Sequence, residues 1–316
     1  MREIVFNIQR FDGEKSFTQA YRFAHEAGRT VLWGLIHIKE TLDPTLTFVA
    51  SCRSAVCGAC AIRVNGQAML ACEAALDDVL ARFGDRLEIA PLNNFPLIRD
   101  LVVDWEPKTE RLKAVNPWLI PREQFSAEGG CRQTPAEFKK FSKQTNCMLC
   151  GACASECSKL TQDSSDFLEP FIFTAARKFV DDSRDGATDA HLKPALAGGV
   201  WKCMHCQECV TKCPKALAPA EDIAKLRQTS LKQGLTGNLG ARHALAFYDD
   251  IKHTGRLNEM KMALKTEGMI KSMARLPFAL RLLRRGKMNP LHWPAPVKGI
   301  KQIRAILRAV EEAEQK

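Results

Sequence analysis

Twelve of the thirteen cysteines fall into three groups of four, and only Cys131 stands alone. Thiols that merely fill a core are scattered, whereas tight, repeated spacings mark ligation or cross-linking. A disulfide framework belongs to short secreted chains that cannot build a sufficient core. This chain has 316 residues, enough for two or three domains. It begins Met1-Arg2-Glu3-Ile4-Val5-Phe6, with an acid and alternating residues where a signal peptide needs a basic start and an apolar run. Metal ligation is therefore the favoured reading, and the chain is expected to carry no export address of its own.

The first group is Cys52-x4-Cys57-x2-Cys60-x11-Cys72. Three thiolates in one loop and a fourth further on match the plant-type [2Fe–2S] arrangement. Gly58 permits close backbone approach there, and turning N–H groups can donate to the sulfurs. A zinc ribbon generally pairs two C-x2-C hooks, and this group has one. The second group is Cys147-x2-Cys150-x2-Cys153-x3-Cys157, and the third is Cys203-x2-Cys206-x2-Cys209-x3-Cys213 followed by Pro214. Both reproduce the bacterial two-cluster run, in which the fourth Cys of each motif serves the other cluster. That crossover assigns a [4Fe–4S] cluster to Cys147, Cys150, Cys153 and Cys213, and a further cluster to Cys157, Cys203, Cys206 and Cys209. Metal binding and folding of this region should then be coupled.

Nothing else adds a substrate site. Gly234-x2-Gly237-x2-Gly240 is not a dinucleotide fingerprint, and no P-loop occurs. No catalytic residue is expected: the chain is a wire, and another subunit does the bond chemistry. His205, inside the third motif, could tune that cluster or simply sit near solvent, and Cys131 reads as an unligated thiol.

The pattern predicts an α+β protein. Residues 1–105 read as a β-grasp [2Fe–2S] domain: Ile4, Phe6 and Ile8 alternate as in a strand, Val31–Lys39 has helical spacing, Asn65-Gly66 joins two short strands, and Leu87-Glu88-Ile89 supplies another. Residues 106–136 hold Pro107, Pro117, Pro121, Gly129, Gly130 and Pro135 and read as a connecting segment with little regular structure. Residues 137–228 read as an all-α two-cluster ferredoxin domain, with Phe171, Ala175 and Phe179 at four-residue intervals and a helix start at Pro219. Residues 229–316 contain no Cys and read as a helical C-terminal extension.

The formal net charge is +10, and residues 271–310 carry ten Lys and Arg with no acid. Nucleic acid, anionic lipid or an acidic protein surface would fit such a patch, as would a plain solvated helix face. Met273, Leu276, Phe278, Leu280, Leu282 and Leu283 interleave with the cations, which suits a surface-lying amphipathic helix that Pro277 kinks or starts. Two Tyr and five Trp leave few platforms for single-stranded nucleic acid, and no nucleic-acid partner is expected. No run of 18 uncharged apolar residues occurs, so no helix is expected to span a bilayer.

These motifs resemble the iron–sulfur subunit of succinate dehydrogenases and fumarate reductases. Asp43-Pro44-Thr45-Leu46-Thr47-Phe48, Ser51-Cys52-Arg53, Cys57-Gly58, Asn65-Gly66 and Leu70-Ala71-Cys72 are similar to the family's first cluster motif. Pro91-Leu92, Ile98-Arg99-Asp100-Leu101 and Asp182-Ser183-Arg184-Asp185 are also family-like, and the resemblance covers residues 1 to about 228. It implies a partner flavoprotein that interconverts succinate and fumarate at FAD, a further subunit exchanging electrons with quinone, and a relay running flavin, first cluster, middle cluster, third cluster.

Some positions depart from the family. Cys206 stands where members commonly have a non-Cys residue and a [3Fe–4S] cluster, so a third cluster of [4Fe–4S] type becomes possible. Cys157-Ser158 replaces Cys-Pro, and Leu160-Thr161 replaces the tryptophans of the quinone pocket. Gly255-Arg256-Leu257-Asn258-Glu259, Lys265-Thr266-Glu267-Gly268 and Arg285-Gly286-Lys287 resemble tails of heterodisulfide-reductase-like iron–sulfur subunits, as in the type E enzymes. That resemblance implies a third subunit that is either a cysteine-rich, heterodisulfide-reductase-like protein or a membrane anchor. The expectation is a complex peripheral on the cytoplasmic membrane, on its cytoplasmic face unless a partner carries an export signal. A soluble thiol:fumarate reductase using the same wire is the alternative.

Overall fold

The computed structural model describes residues 2–287 and 295–315, so residues 288–294 and 316 of the expected extension lie outside the described residues. The chain divides into two units, Met1–Leu226 and Arg227–Lys316.

The first unit opens on a mixed five-stranded sheet. Its strands are β1 (Glu3–Phe11), β2 (Ser16–Ala24), β3 (Ala61–Val64), β4 (Gln67–Leu70) and β5 (Arg86–Ala90), in the order β2-β1-β5-β3-β4. β1 pairs antiparallel with β2 (Ile4 opposite Phe23) and parallel with β5 (Val5 opposite Arg86). β3 and β4 form the expected hairpin: Val64 faces Gln67, and Asn65 and Gly66 take the positive φ values (46° and 77°) that a two-residue turn demands. Two helices, α1 (Val31–His37) and α2 (Leu76–Phe83), accompany the sheet, and one wide turn, Ile38–Leu42, extends α1. Ile4, Phe6, Ile8, Leu35, Ile38, Leu70, Leu80 and Leu87 are almost wholly buried, each contributing about 1.5–3 kcal/mol of burial. β2 and α2 are elements the sequence did not signal. A two-stranded ribbon, β6 (Leu97–Arg99) with β7 (Val102–Val103), leads out of this region.

The segment expected to hold little regular structure opens on one helix. Glu106–Lys113 forms α3, because Pro107 stands in the first turn, where its missing N–H costs nothing. From Pro135 to the end of the unit every regular element is helical. These are α4 (Pro135–Lys139), α5 (Ala152–Ser155), α6 (Ser158–Gln162), α7 (Pro170–Val180), α8 (Thr188–Ala197), α9 (Glu208–Thr211) and α10 (Pro219–Lys232), which runs on into the second unit. α7 is the core helix: Phe171, Ile172, Phe173, Ala176 and Phe179 are all buried. Buried His191 fastens α8 beside it, stacking on Phe179 and reaching the Val115 carbonyl and the Asp185 carboxylate at 3.0 Å each.

The second unit contains α11 (Leu239–Thr254), α12 (Glu259–Glu267), α13 (Met269–Ala274), α14 (Leu276–Arg284) and α15 (Ile300–Gln315). Asn238 and Asn258 cap α11 and α12 by accepting from Ala241 and Lys261 N–H. Buried Asp250 accepts from Asn258 N–H at 2.9 Å and Lys265 at 2.7 Å, and Glu311 of α15 accepts from Lys252 at 2.8 Å. Pro277 starts α14 rather than kinking one long helix. Neither α13 nor α14 buries a residue.

Candidate metal centres

The loop from Ser51 to Cys60 has no regular secondary structure, and its shape comes from backbone turns. Arg53, Ala55 and Gly58 adopt positive φ (56°, 56° and 76°). The turns aim N–H groups inward, as in an anion-binding nest. Ser54, Val56 and Cys57 donate to Cys52 Sγ at 3.4, 3.4 and 3.3 Å, and Ala55 donates to Cys72 Sγ at 3.2 Å. Those donors, Ser54 foremost, hold the Cys52 thiol down to about 6. Burial instead pushes Cys60 up to about 12, with the Cys72 and Cys57 thiols close enough to add to it. Three cysteines of the first group thus share one loop, buried at Cys60 and exposed at Cys57, and the Ala55 N–H ties Cys72, which follows β4, to it.

The two later groups come together in interleaved fashion. One hollow, about 370 Å³ of atom-free space, is lined by Cys147, Cys150, Cys153 and Cys213 with Phe171, Leu217 and Pro219. The other, about 380 Å³, is lined by Cys203, Cys206, Cys209 and Cys157 with Phe167, Pro170 and Ile223. A local repeat precedes both hollows. Leu149 and Gly151 turn with φ 55° and 81° ahead of α5, and His205 and Gln207 turn with φ 54° and 67° ahead of α9. Each turn presents a backbone N–H to sulfur, Leu149 to Cys147 in the first and His205 to Cys203 Sγ at 3.4 Å in the second, and beyond the third run Leu217 donates to Cys213 Sγ at 3.4 Å.

The donor set fits clusters. Burial drives Cys150 up to about 11, Cys209 up to about 12 and Cys153 well above the ordinary thiol range. Such groups ionise only against a strong positive charge, which cluster iron supplies to a coordinated thiolate. Among the described residues, no three Cys, His, Asp or Glu side chains converge as they would on a single metal ion. Four thiols spread around an apolar hollow instead suit a group with several irons. Met204 is 57% exposed and Cys206 is exposed, so the third set reaches the surface as the first does at Cys57. Cys131 joins none of the three sets; its thiol lies beside the Arg184 guanidinium.

The side chains that seat the first region on these helices carry no motif and were not legible in the sequence. Asn94, itself at positive φ (63°), donates to the carbonyls of Ala154, Ser155 and Cys157 at 2.8, 3.2 and 3.4 Å and so closes the end of α5. Arg63 on β3 pairs with Glu156 at 3.1 Å. Lys212 donates to Gln67 at 2.9 Å. Lys108 of α3 pairs with buried Glu169 at 2.7 Å, just ahead of α7.

Residues 5–110 match the 2Fe-2S iron-sulfur cluster binding domain family, and residues 143–217 match the 4Fe-4S dicluster domain family. The chain is 47% identical over 291 residues to the 8-methylmenaquinol:fumarate reductase iron-sulfur subunit of Wolinella succinogenes, covering 90% of this chain and 91% of that one. It is 39% identical over 243 residues to a fumarate reductase iron-sulfur subunit of Mycobacterium tuberculosis, where 96% of the relative accounts for 74% of this chain. A solved chain of the Mycobacterium smegmatis Sdh1 complex in the apo form shares the fold, with a TM-score of 0.68 at 18% identity over 74% of this chain and 98% of that one. A [2Fe–2S] domain, a helical dicluster domain and these relatives agree on one family and one task. The chain belongs to the iron–sulfur subunits of fumarate reductases and succinate dehydrogenases, the electron-transfer subunits of those oxidoreductases.

Proposed function

We propose that this chain carries electrons through three clusters in a fixed order, between the FAD of a partner flavoprotein and a quinone-reactive subunit. The first cluster is held by Cys52, Cys57, Cys60 and Cys72, the middle [4Fe–4S] cluster by Cys147, Cys150, Cys153 and Cys213, and the third by Cys157, Cys203, Cys206 and Cys209. The observation that carries this reading is the interleaved lining of the two hollows, each combining three thiols of one run with the fourth of the other. Exposure at Cys57 and at Cys206 gives the relay a surface edge at its first and third stations. Four thiols in the third set support a [4Fe–4S] rather than a [3Fe–4S] cluster there.

Fumarate and a quinol are what the Wolinella relative is named for, and we carry them to this chain as its reaction partners. The third subunit is of the cysteine-rich, heterodisulfide-reductase-like kind rather than a haem-bearing anchor, a reading that rests on the resemblance of residues 255–287. The complex sits peripherally on the cytoplasmic face of the membrane, docked through residues 229–316. Among the described residues no helix is long and apolar enough to cross a bilayer, so attachment by this extension would be at a surface. Nothing favours the thiol-fed alternative.

The experiment is anaerobic purification of the tagged chain from its native membranes, with identification of stoichiometric partners, a dye-linked fumarate assay, an iron count and EPR of the oxidised protein. A flavoprotein plus a haem-free cysteine-rich subunit, with fumarate reduction and no three-iron signal, is the expected result. A haem-bearing anchor would overturn the assignment of the third subunit, and a three-iron signal would remove Cys206 from the ligands. Absence of a flavoprotein and of fumarate activity would overturn the proposed termini.

A further inference from the structure

The loop of the first thiol set touches the second set directly, and it does so at one residue. Gly58 lies between Cys57 and Cys60, with φ 76°. A Cβ placed on it would stand 2.8 Å from Cys150 Cβ, 2.9 Å from Cys150 Cα and 3.3 Å from Cys150 N. The bare backbone of one thiol loop therefore rests on the backbone of a cysteine from the other. No side chain intervenes.

Cys150 cannot retreat from this contact. The next residue, Gly151 (φ 81°), is held from the other side: a Cβ there would meet Phe95 Cζ and Trp105 Cζ2 at 2.9 Å each. Those rings pack on one another with centroids 4.9 Å apart, and Trp105 packs in turn on Phe171 of the core helix at 5.9 Å. The segment Cys150-Gly151 is thus clamped between the first loop and an aromatic wall. The two regions are also fastened nearby by Arg63 with Glu156 and by Asn94 with the end of α5, so they cannot simply hinge apart. A side chain at position 58 must displace the loop that carries Cys57 and Cys60. Ordinary contact begins near 3.4 Å, so the loop would recede by at least about half an ångström and lose its contact with Cys150.

We propose that Gly58 is a positioning residue for electron transfer: its missing side chain sets the closest approach of the first and middle clusters, and the Gly58–Cys150 contact is the path between them. The proposal rests on the ligand sets given above. Electron tunnelling falls exponentially with the gap to be crossed and favours bonded and contacting atoms over open space. The step moves one electron and no proton, so the donor is oxidised by one electron and the acceptor reduced by one, a single unit of negative charge passing between them. Cys57 and Cys60 on one side and Cys150 on the other supply covalent paths, and Gly58 closes the only non-bonded gap in this route.

The test compares Gly58→Ala and Gly58→Asn in the intact complex. Both place a Cβ against Cys150, but Asn tolerates positive φ far better than Ala, so backbone strain and steric displacement separate. Three quantities are read in each: iron content with the EPR intensity of each cluster, the magnetic broadening between the two reduced clusters, and the rate at which the middle cluster is reduced after rapid mixing. The expected result is full cluster content with weakened broadening and several-fold slower reduction in both variants. Wild-type broadening and rate in the loaded variants would overturn the proposal. Recovery with Asn alone would overturn it as well, since strain and not contact would then be the cause. Failure of both variants to load the first cluster would make Gly58 a residue for building the loop, which also counts against the proposal. A wild-type complex lacking either cluster would instead refute the ligand sets.

Discussion

Arg10 is 4% exposed on β1, and a charge so buried must be matched on every side. Its guanidinium donates to Asp100 at 2.8 Å, Asp43 at 2.7 Å, Thr45 at 3.0 Å and Gln19 at 3.0 Å, and also to the Tyr21 hydroxyl. Asp100 further accepts from the N–H groups of Phe11 and Thr47 at 3.1 and 2.8 Å. The network therefore ties β1 to residues 43–47, the approach to Cys52. Burial alone would raise the Asp100 carboxyl, but Arg10 and the two amides outweigh it and hold it below the usual carboxylate range. Asp43 is also held low, first by the Thr45 hydroxyl, then by Tyr21 and Arg10. Both folded values lie below the unfolded one, so their contribution is complete above about pH 4 and is lost as pH falls through the folded values. Arg10→Met should cost about 3–5 kcal/mol, because it leaves carboxylates uncompensated. Its acid limb should also be shallower, because without the cation the folded values of Asp100 and Asp43 rise toward the unfolded one and less stability is left to lose as pH falls. Denaturant unfolding followed by far-UV CD across pH 3–7 measures both. An unchanged limb would mean that the cation adds only packing.

Neither α5 nor α9 is longer than one turn, and helices that short have no stability of their own. What holds them is the thiol set each turn presents, together with the side chains that close their ends. Removing iron with a chelator under reduction should therefore loosen residues 137–226 while the five-stranded sheet stays folded. Hydrogen exchange before and after chelation reads this directly: the amides of α5, α9 and the turns before them should lose protection, and those of β1 and β5 should keep it. Retained protection around α5 and α9 would show that packing on α7 suffices without metal. The same contrast explains what the sequence revealed. Cluster spacing is fixed by chemistry within a few residues, and a two-residue Asn65-Gly66 turn is equally local, so both could be read along the chain. β2 could not: only Tyr21 and Phe23 of its nine residues are buried, because it is an edge strand whose polar face looks outward. α3 was hidden by Pro107, a helix breaker in the interior but a helix starter in the first turn. Asn94, Arg63 and Glu156 were invisible for a different reason. Each acts on a partner some sixty to ninety residues away, and no short pattern encodes such a meeting.

Across the whole chain the charge is lopsided, since the ten cations of residues 271–310 account for the formal +10. The described part of that stretch also displays apolar side chains that a soluble helix ordinarily covers: Met273 is 66% exposed, Leu276 55%, Phe278 59% and Leu280 47%. On α14, Leu276, Leu280 and Leu283 share one face with Arg284 at its edge and Arg281 further round, so one helix carries an apolar arc with a cationic flank. A surface that combines greasy residues with one sign of charge binds where apolar depth and anionic groups coincide, at a lipid interface or on an acidic, apolar subunit. Deleting residues 271–316 should leave the clusters intact, because every cysteine lies before this stretch. It should also release the complex from membranes. If lipid headgroups supply the anions, washing the unmodified complex with high salt should weaken attachment without abolishing it, since salt screens the charges but leaves the apolar term. Fractionation of truncated and full-length complexes, followed by the cluster absorbance, decides the point. Membrane retention unchanged by truncation would assign attachment to another subunit and leave residues 271–316 a role in contacts between subunits alone.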